Sequence, residues 1–106
     1  MVDQNGIMYL IDLGTCKILD TGKSLCRTWT IIGTPHYMAP EIIQGKGYSF
    51  FADYWGIGIV LFEFICGYLP YGENAGDPYE IYEEIIKTKL KFPEFVKDKK
   101  TIAIIK

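Results

Sequence analysis

The most restrictive feature of the sequence is the apolar run WGIGIVLFEFICGYL, which fills positions 55–69 and contains one charged residue, Glu63. As an α-helix this run would be about 22 Å long, which is too short for the roughly 30 Å hydrocarbon core of a bilayer. We therefore interpret it as a buried core helix from about Phe51 to Tyr68, within a central apolar segment 51–69. A short membrane-associated protein is the alternative.

Local turn signals predict what precedes this helix. Asn5-Gly6 lies between two short apolar runs, which predicts a short β-hairpin that fills residues 1–14. Residues 15–38 are interrupted by Thr, Pro and Gly, and we interpret most of them as an extended loop. Pro40 and Gly45 then predict a short helix, with proline near its start and glycine at its end.

A second capping pattern follows the apolar helix. Asp77, Pro78 and Glu80 have the spacing of a capping box with proline in the first turn, which predicts a peripheral helix over 77–88. Glu83 precedes Lys87 by four residues, an arrangement that stabilises a helix. The predicted fold class is therefore mainly α with a short β-hairpin, and the state of the last ten residues is left open.

Charge and cysteine content exclude several classes of function. The net charge is −2 and the pI is near 5.3, without the basic stripe that is typical of nucleic-acid binders. Three cysteines without a CxxC pair argue against a disulfide framework and for free thiols in a reducing, cytoplasmic compartment. His36 is the one histidine and has no partner at metal-ligand spacing, which argues against a zinc site.

Two tripeptides give the sequence a family pattern: Asp-Leu-Gly at 12–14 and Ala-Pro-Glu at 39–41. With them, the sequence resembles the second half of a eukaryotic protein kinase domain over nearly all of its 106 residues. The stretches RTWTIIGTPHYMAPEII, DYWGIGIVLFEFICGYLPY and KLKFP are similar to the AGC group, nearest the cyclic-nucleotide-dependent kinases and most of all the cGMP-dependent kinases of protozoa. The resemblance implies part of the helical C-terminal lobe of a protein-kinase-like fold, an incomplete domain covering 1–106.

The resemblance implies that residues 15–41 are an activation segment and that Thr30 is its phosphorylation site. A phosphate adds about −1.5 to −2 charge, which basic groups then clamp to order a loop. Lys17 and Arg27 are the candidate contacts. Thr28 lies closer to the loop tip, where we expect a phosphate to meet Arg27 but not Lys17. An ordinary exposed loop threonine is the alternative for Thr30.

Other residues match further roles in the family. Asp12 matches the Mg²⁺ ligand, since hard cations take oxygen ligands and bridge the nucleotide phosphates; an aspartate that caps a turn is the alternative. Glu63 matches a carboxylate that binds a substrate arginine, and a buried, hydrogen-bonded structural glutamate is the alternative. Thr34 matches a threonine that links the loop to the catalytic site. The apolar pocket for the substrate residue after the phosphoacceptor is matched by Ile31, Pro35 and Met38.

Two residues depart from the family pattern. Leu13 stands where Phe is usual, and it keeps the apolar character of that position. His36 replaces an acidic residue of the mammalian cyclic-AMP-dependent enzyme, which weakens the expected preference for basic residues upstream of the target.

The family's catalytic loop, H-R-D-L-x-x-x-N, and its G-x-G-x-x-G nucleotide loop do not occur in the sequence. No catalytic base is therefore assigned, and we expect this chain alone to bind neither Mg²⁺ nor ATP tightly and to be inactive. Glu41 and Asp53 match structural residues, and we expect their partners, an arginine and the backbone of the catalytic loop, outside this sequence.

The resulting hypothesis is a fragment of a serine/threonine protein kinase, from a truncated gene or gene model. The complete domain would use Mg²⁺ and ATP and would phosphorylate Ser or Thr in protein substrates. The alternative is a non-catalytic, kinase-derived module that binds a substrate or a kinase partner through the apolar pocket and the helix at 78–88. We expect no nucleic-acid partner and no membrane span.

Overall fold

The computed structural model describes residues 1–19 and 27–106. Within these ranges the helical elements are one 3₁₀ turn followed by four α-helices: the turn Pro35–Tyr37, α1 (Pro40–Ile43), α2 (Phe51–Cys66), α3 (Pro78–Lys87) and α4 (Lys99–Ile105). The mainly α fold class is confirmed. The β-structure of the described ranges consists of isolated antiparallel bridges.

The predicted β-hairpin at the N-terminus is not confirmed, because it is reduced to one antiparallel bridge between Val2 and Met8. Asp3 organises the turn, and its Oδ1 accepts the backbone N–H groups of Asn5 at 2.8 Å and Ile7 at 2.9 Å. The apolar residues after the turn are exposed to solvent. Two strands without an apolar surface to cover them are only marginally stable, so the pairing does not extend into regular strands.

The predicted apolar helix is observed as α2, and it ends two residues earlier than expected. Gly67 adopts the left-handed conformation with φ 79° and donates its N–H to the Glu63 carbonyl at 2.8 Å. Glycine takes this conformation without a steric penalty, which makes it a common helix terminator. Tyr68 therefore lies outside the helix.

The core lies where α2, α3 and the loop between them meet. Ile59 of α2, Tyr71 of the loop and the pair Ile81 and Ile85 of α3 form one buried cluster. Trp55 stacks on Tyr71 with ring centroids 6.0 Å apart and planes inclined by 13°. Each buried side chain of this size stabilises the fold by about 1.5–3 kcal/mol, so the cluster fixes α3 against α2.

Asp77 caps α3 as the sequence predicts, but the capping box is modified. The Asp77 Oδ1 accepts the N–H groups of Tyr79 at 2.6 Å and Glu80 at 3.1 Å. The Glu80 carboxylate reaches one residue beyond the cap and accepts the Gly76 N–H at 2.8 Å. Two carboxylates thus satisfy backbone donors at the positive end of this helix.

The last ten residues contain α4, an element that the sequence alone left open. Asp98 caps it through the N–H of Thr101 at 2.8 Å and the Thr101 hydroxyl at 2.7 Å. These hydrogen bonds hold the pKa of the Asp98 carboxyl below its usual value. The helix packs on α2 at Gly58, where a Cβ would lie 3.6 Å from the Ile105 carbonyl oxygen.

Candidate functional site

The segment 28–30 is held against Gly47 and Tyr48, which lie between α1 and α2. Thr28 and Tyr48 exchange both of their backbone hydrogen bonds at 2.9 Å, and the Tyr48 hydroxyl donates to the Thr30 carbonyl oxygen. The Trp29 indole lies directly over the Gly47 backbone. The backbone of the candidate phosphorylation site is therefore fixed, while Thr30 itself is exposed.

Lys17 contacts Thr28 in the unphosphorylated chain. Its Nζ donates to the Thr28 Oγ1 at 2.8 Å, and Thr28 is buried with 4% of its surface exposed. This contact argues against the expectation that a phosphate on Thr28 would not meet Lys17, while the contact between Lys17 and a phosphate on Thr30 stays a prediction. Arg27 is exposed. Residues 20–26 of the predicted activation segment, Cys26 among them, lie outside the described residues.

The residues of the predicted apolar pocket are only partly brought together. Met38 is 6% exposed and donates its N–H to the Pro35 carbonyl at 3.1 Å, so these two residues form one compact turn. The Tyr82 hydroxyl of α3 lies 3.9 Å from the Met38 sulfur. Ile31 and Thr34, by contrast, are exposed. Pro35 and Met38 therefore lie together in one turn, and their role in a substrate pocket with Ile31 and Thr34 stays a prediction.

Glu63 of α2 accepts a hydrogen bond from the Tyr37 hydroxyl at 3.0 Å. Both residues are half-buried. Burial, followed by the hydrogen bond and the negative charge of Glu63, raises the pKa of Tyr37 above its usual value. The bond uses Oε2 of the carboxylate, whereas a carboxylate has acceptor sites on both oxygens. Glu63 therefore accepts a hydrogen bond through Oε2, and its role as a contact for a substrate arginine stays a prediction.

Asp12 adopts the left-handed conformation, with φ 60°. Its Oδ1 accepts the Gly14 N–H at 3.1 Å, which closes a tight turn on the side chain. Aspartate tolerates this conformation better than most residues because its short side chain bonds locally. The carboxylate is exposed, so its second oxygen is accessible to a ligand.

The described residues contain no group of three potential metal ligands. A magnesium ion is often held by one or two carboxylates together with substrate phosphates and water. The exposed Asp12 carboxylate fits that kind of partial site, and it does not form a metal cage.

A link between the 3₁₀ turn and α3 was not foreseen from the sequence. His36 Nε2 lies 3.3 Å from the Gly72 carbonyl oxygen, and the Gly72 N–H donates to the Glu84 carboxylate at 2.7 Å. A Cβ on Gly72 would lie 2.7 Å from Ile81 Cγ1. Position 72 therefore requires glycine. The sequence signal for this link was the glycine-rich loop before Asp77.

Glu41 lines a groove along α2, and Asp53 is not among the residues that line it. The groove has a volume of about 650 Å³ and its lining includes Glu41, Trp55 and Leu90. Trp55 Nε1 is buried and has no hydrogen-bond partner among the described residues. Asp53 is exposed in the first turn of α2, where the helix dipole stabilises a carboxylate. The arginine expected to pair with Glu41 and the catalytic-loop backbone expected to bond Asp53 stay predictions.

Within the described ranges, no helix combines the length and the apolar character that a bilayer crossing needs.

Cys16 and Cys66 are free thiols. Burial raises the pKa of the Cys66 thiol.

The family model for the protein kinase domain matches residues 1–104. This chain therefore belongs to the protein kinase domain family. It is 46% identical, over all 106 of its residues, to a cGMP-dependent protein kinase of Toxoplasma gondii and to one of Eimeria tenella. It is 38% identical over 96 residues, or 91% of its length, to a cAMP-dependent protein kinase catalytic subunit of Arthrobotrys oligospora.

These relatives confirm the predicted resemblance to AGC-type kinases of the cyclic-nucleotide-dependent kind. The chain spans 10% of the length of the Toxoplasma and Eimeria relatives and 17% of the Arthrobotrys relative.

Proposed function

We propose that this chain supplies the activation segment and part of the helical lobe of a serine/threonine protein kinase of the cyclic-nucleotide-dependent type. The complete domain would transfer the γ-phosphoryl group of MgATP to a Ser or Thr hydroxyl of a protein. The observation that carries the proposal is the turn at Pro35–Tyr37, which packs against both α2 and α3. A loop that receives a substrate needs such rigid support, because positioning supplies much of the catalysis in phosphoryl transfer.

In this proposal Asp12 is a ligand of the magnesium ion that accompanies ATP. The ion supplies charge neutralisation at the β- and γ-phosphates. Two features support this role: the carboxylate is exposed, and the bond from Gly14 fixes the orientation of the side chain. The left-handed backbone at Asp12 has some conformational cost, and such outliers cluster at functional sites.

Substrate recognition would combine an apolar floor with a carboxylate. Pro35 and Met38 would receive an apolar residue after the phosphoacceptor, with Ile31 closing over it. Glu63 would attract a basic residue before the phosphoacceptor through the oxygen that Tyr37 leaves free. A carboxylate held by a tyrosine hydroxyl does not need to be reoriented when a guanidinium binds.

Thr30 is proposed as the regulatory phosphorylation site, with Lys17 as the main contact of its phosphate. Lys17 Nζ bonds the hydroxyl of Thr28, two residues before Thr30. The long, flexible Lys17 side chain would have to leave Thr28 to contact a phosphate on Thr30. Arg27 would supply the second positive charge.

The proposal is tested in a chimera in which this chain replaces the matching 106 residues of the Toxoplasma gondii cGMP-dependent protein kinase. Asp12→Ala is expected to lower kcat for a serine peptide by at least about 100-fold, since metal ions supply several kcal/mol of transition-state stabilisation. Glu94→Ala is the control, because it removes an exposed carboxylate far along the chain. Equal activity of the Asp12 variant and the unmodified chimera would overturn the assignment.

A further inference from the structure

We propose that Gly47 and Tyr48 form a positioning element that holds Thr30 in the place where its phosphate is bound. The inference rests on the proposed role of Thr30 and extends it to two residues outside the predicted activation segment. Both lie in the short connection between α1 and α2.

The inference rests on contacts that Gly47 and Tyr48 make with three consecutive residues, Thr28, Trp29 and Thr30. The backbone of Tyr48 pairs with that of Thr28, and its hydroxyl reaches past Trp29 to the Thr30 carbonyl oxygen. The two ends of the segment 28–30 are therefore bound to one residue. Its position relative to Lys17, which bonds Thr28, is fixed by the same contacts.

Gly47 makes this arrangement sterically possible. Its φ is +73°, and a Cβ placed on it would lie 2.8 Å from the Trp29 Nε1 and 2.9 Å from its Cε2. Real Cβ atoms do not approach other heavy atoms so closely, so any side chain at 47 would displace the indole. Displacing the indole would remove the contact between Trp29 and the Gly47 backbone.

The charge geometry explains why a fixed backbone matters for this site. Lysine has a flexible stem and presents a point charge, so it does not by itself determine where a phosphate comes to rest. In this proposal Tyr48 determines where the phosphate lies. It does so through its backbone bridge to Thr28 and through its hydroxyl, which bonds the Thr30 carbonyl oxygen. Tyr48 touches no reacting atom, and its effect on activity passes through the phosphorylated Thr30.

The first test compares Tyr48→Phe with Tyr79→Phe in the chimera. Tyr48→Phe deletes one hydroxyl and keeps the ring, and we expect phosphate on Thr30 to be removed by an added phosphatase about 3- to 10-fold faster, as the loss of one hydrogen bond predicts. The kcat/KM for a serine peptide is expected to fall by a factor of similar size, about 3- to 10-fold. Tyr79 is an exposed tyrosine of α3, and its hydroxyl deletion should leave both rates unchanged.

The second test compares Gly47→Ala with Gly45→Ala. Both glycines have positive φ, but a Cβ on Gly45 would meet no atom within 4 Å, whereas a Cβ on Gly47 would meet the Trp29 indole. The backbone strain is therefore shared, and the difference between the variants isolates the indole contact. We expect Gly47→Ala to accelerate dephosphorylation more than Gly45→Ala does, because only the Cβ at position 47 meets the Trp29 indole; equal rates in the two variants would contradict a role for this contact.

A double-mutant cycle separates positioning from general stability. If Tyr48 acts through the phosphate on Thr30, Tyr48→Phe should lower activity when Thr30 is present and have no further effect in a Thr30→Ala background. Equal losses in both backgrounds, or an unchanged phosphatase rate in a chimera that does depend on Thr30, would overturn the positioning role and leave the proposed function intact. A chimera whose activity is insensitive to Thr30→Ala would overturn both.

Discussion

Replacing Thr30 with alanine is expected to lower kcat/KM of the chimera for a serine peptide by about 30- to 100-fold. Each well-formed charge-assisted hydrogen bond to a phosphate contributes about 1.5–3 kcal/mol, and the proposal assigns two such bonds, from Lys17 and Arg27, to a phosphate on Thr30. Part of that free energy is consumed in ordering the loop, and each remaining 1.4 kcal/mol corresponds to a tenfold rate.

Three comparisons make this prediction specific. Lys17→Ala should reproduce part of the loss, because it removes one of the two contacts. Thr28→Ala should cost only a few-fold, since it removes the neutral hydroxyl on which Lys17 rests. Thr88→Ala changes an exposed threonine after α3 and should have no effect. A Thr30→Ala chimera as active as its parent, or a larger loss from Thr28→Ala, would contradict the assignment.

The isolated 106-residue chain is expected to self-associate or to fold poorly. Its accessible surface is 8319 Å², compared with about 6,000 Å² for a compact monomer of its 12.1 kDa mass. Phe51, Tyr54, Ile57 and Phe64 are each more than half exposed along α2. Apolar patches of this kind drive association, so light scattering should give a mass that is a multiple of the monomer's and that rises with concentration.

A surface variant provides the control for that measurement. The triple substitution Phe51→Lys, Ile57→Glu and Phe64→Lys should shift the chain toward the monomer. It places charges among the exposed apolar residues of α2 and changes no buried residue. Phe95→Lys changes one exposed aromatic residue outside α2 and should have little effect. A parent chain that is monomeric and melts cooperatively would contradict the expectation.

Local sequence signals predicted α1, α2 and α3, because residues with strong backbone preferences lie near their ends. Asp77 caps α3 through two N–H groups as predicted, whereas the left-handed Gly67 ends α2 two residues before the predicted end. The ion pair between Glu83 and Lys87, at 2.9 Å, also follows from spacing alone. These features depend on neighbours within one helical turn, so the sequence contains all the information needed to find them.

Other features depend on tertiary contacts, and the sequence could not reveal them. The N-terminal hairpin has good turn residues but an exposed apolar strand, so it remains a single bridge. Lys17 bonds Thr28, whose backbone pairs with Tyr48 far along the sequence. The bond between His36 and Gly72 joins residues 36 positions apart.

The central claim is tested most directly by measuring how fast the unmodified chimera transfers phosphate from MgATP to a serine peptide. If the chain is the activation segment and helical-lobe segment of a serine/threonine kinase, the chimera should retain kcat/KM within about tenfold of the Toxoplasma host, because the segment would supply the metal ligand, the substrate floor and the phosphorylation site together. A correctly folded chimera with no more activity than its Asp12→Ala variant would contradict the claim.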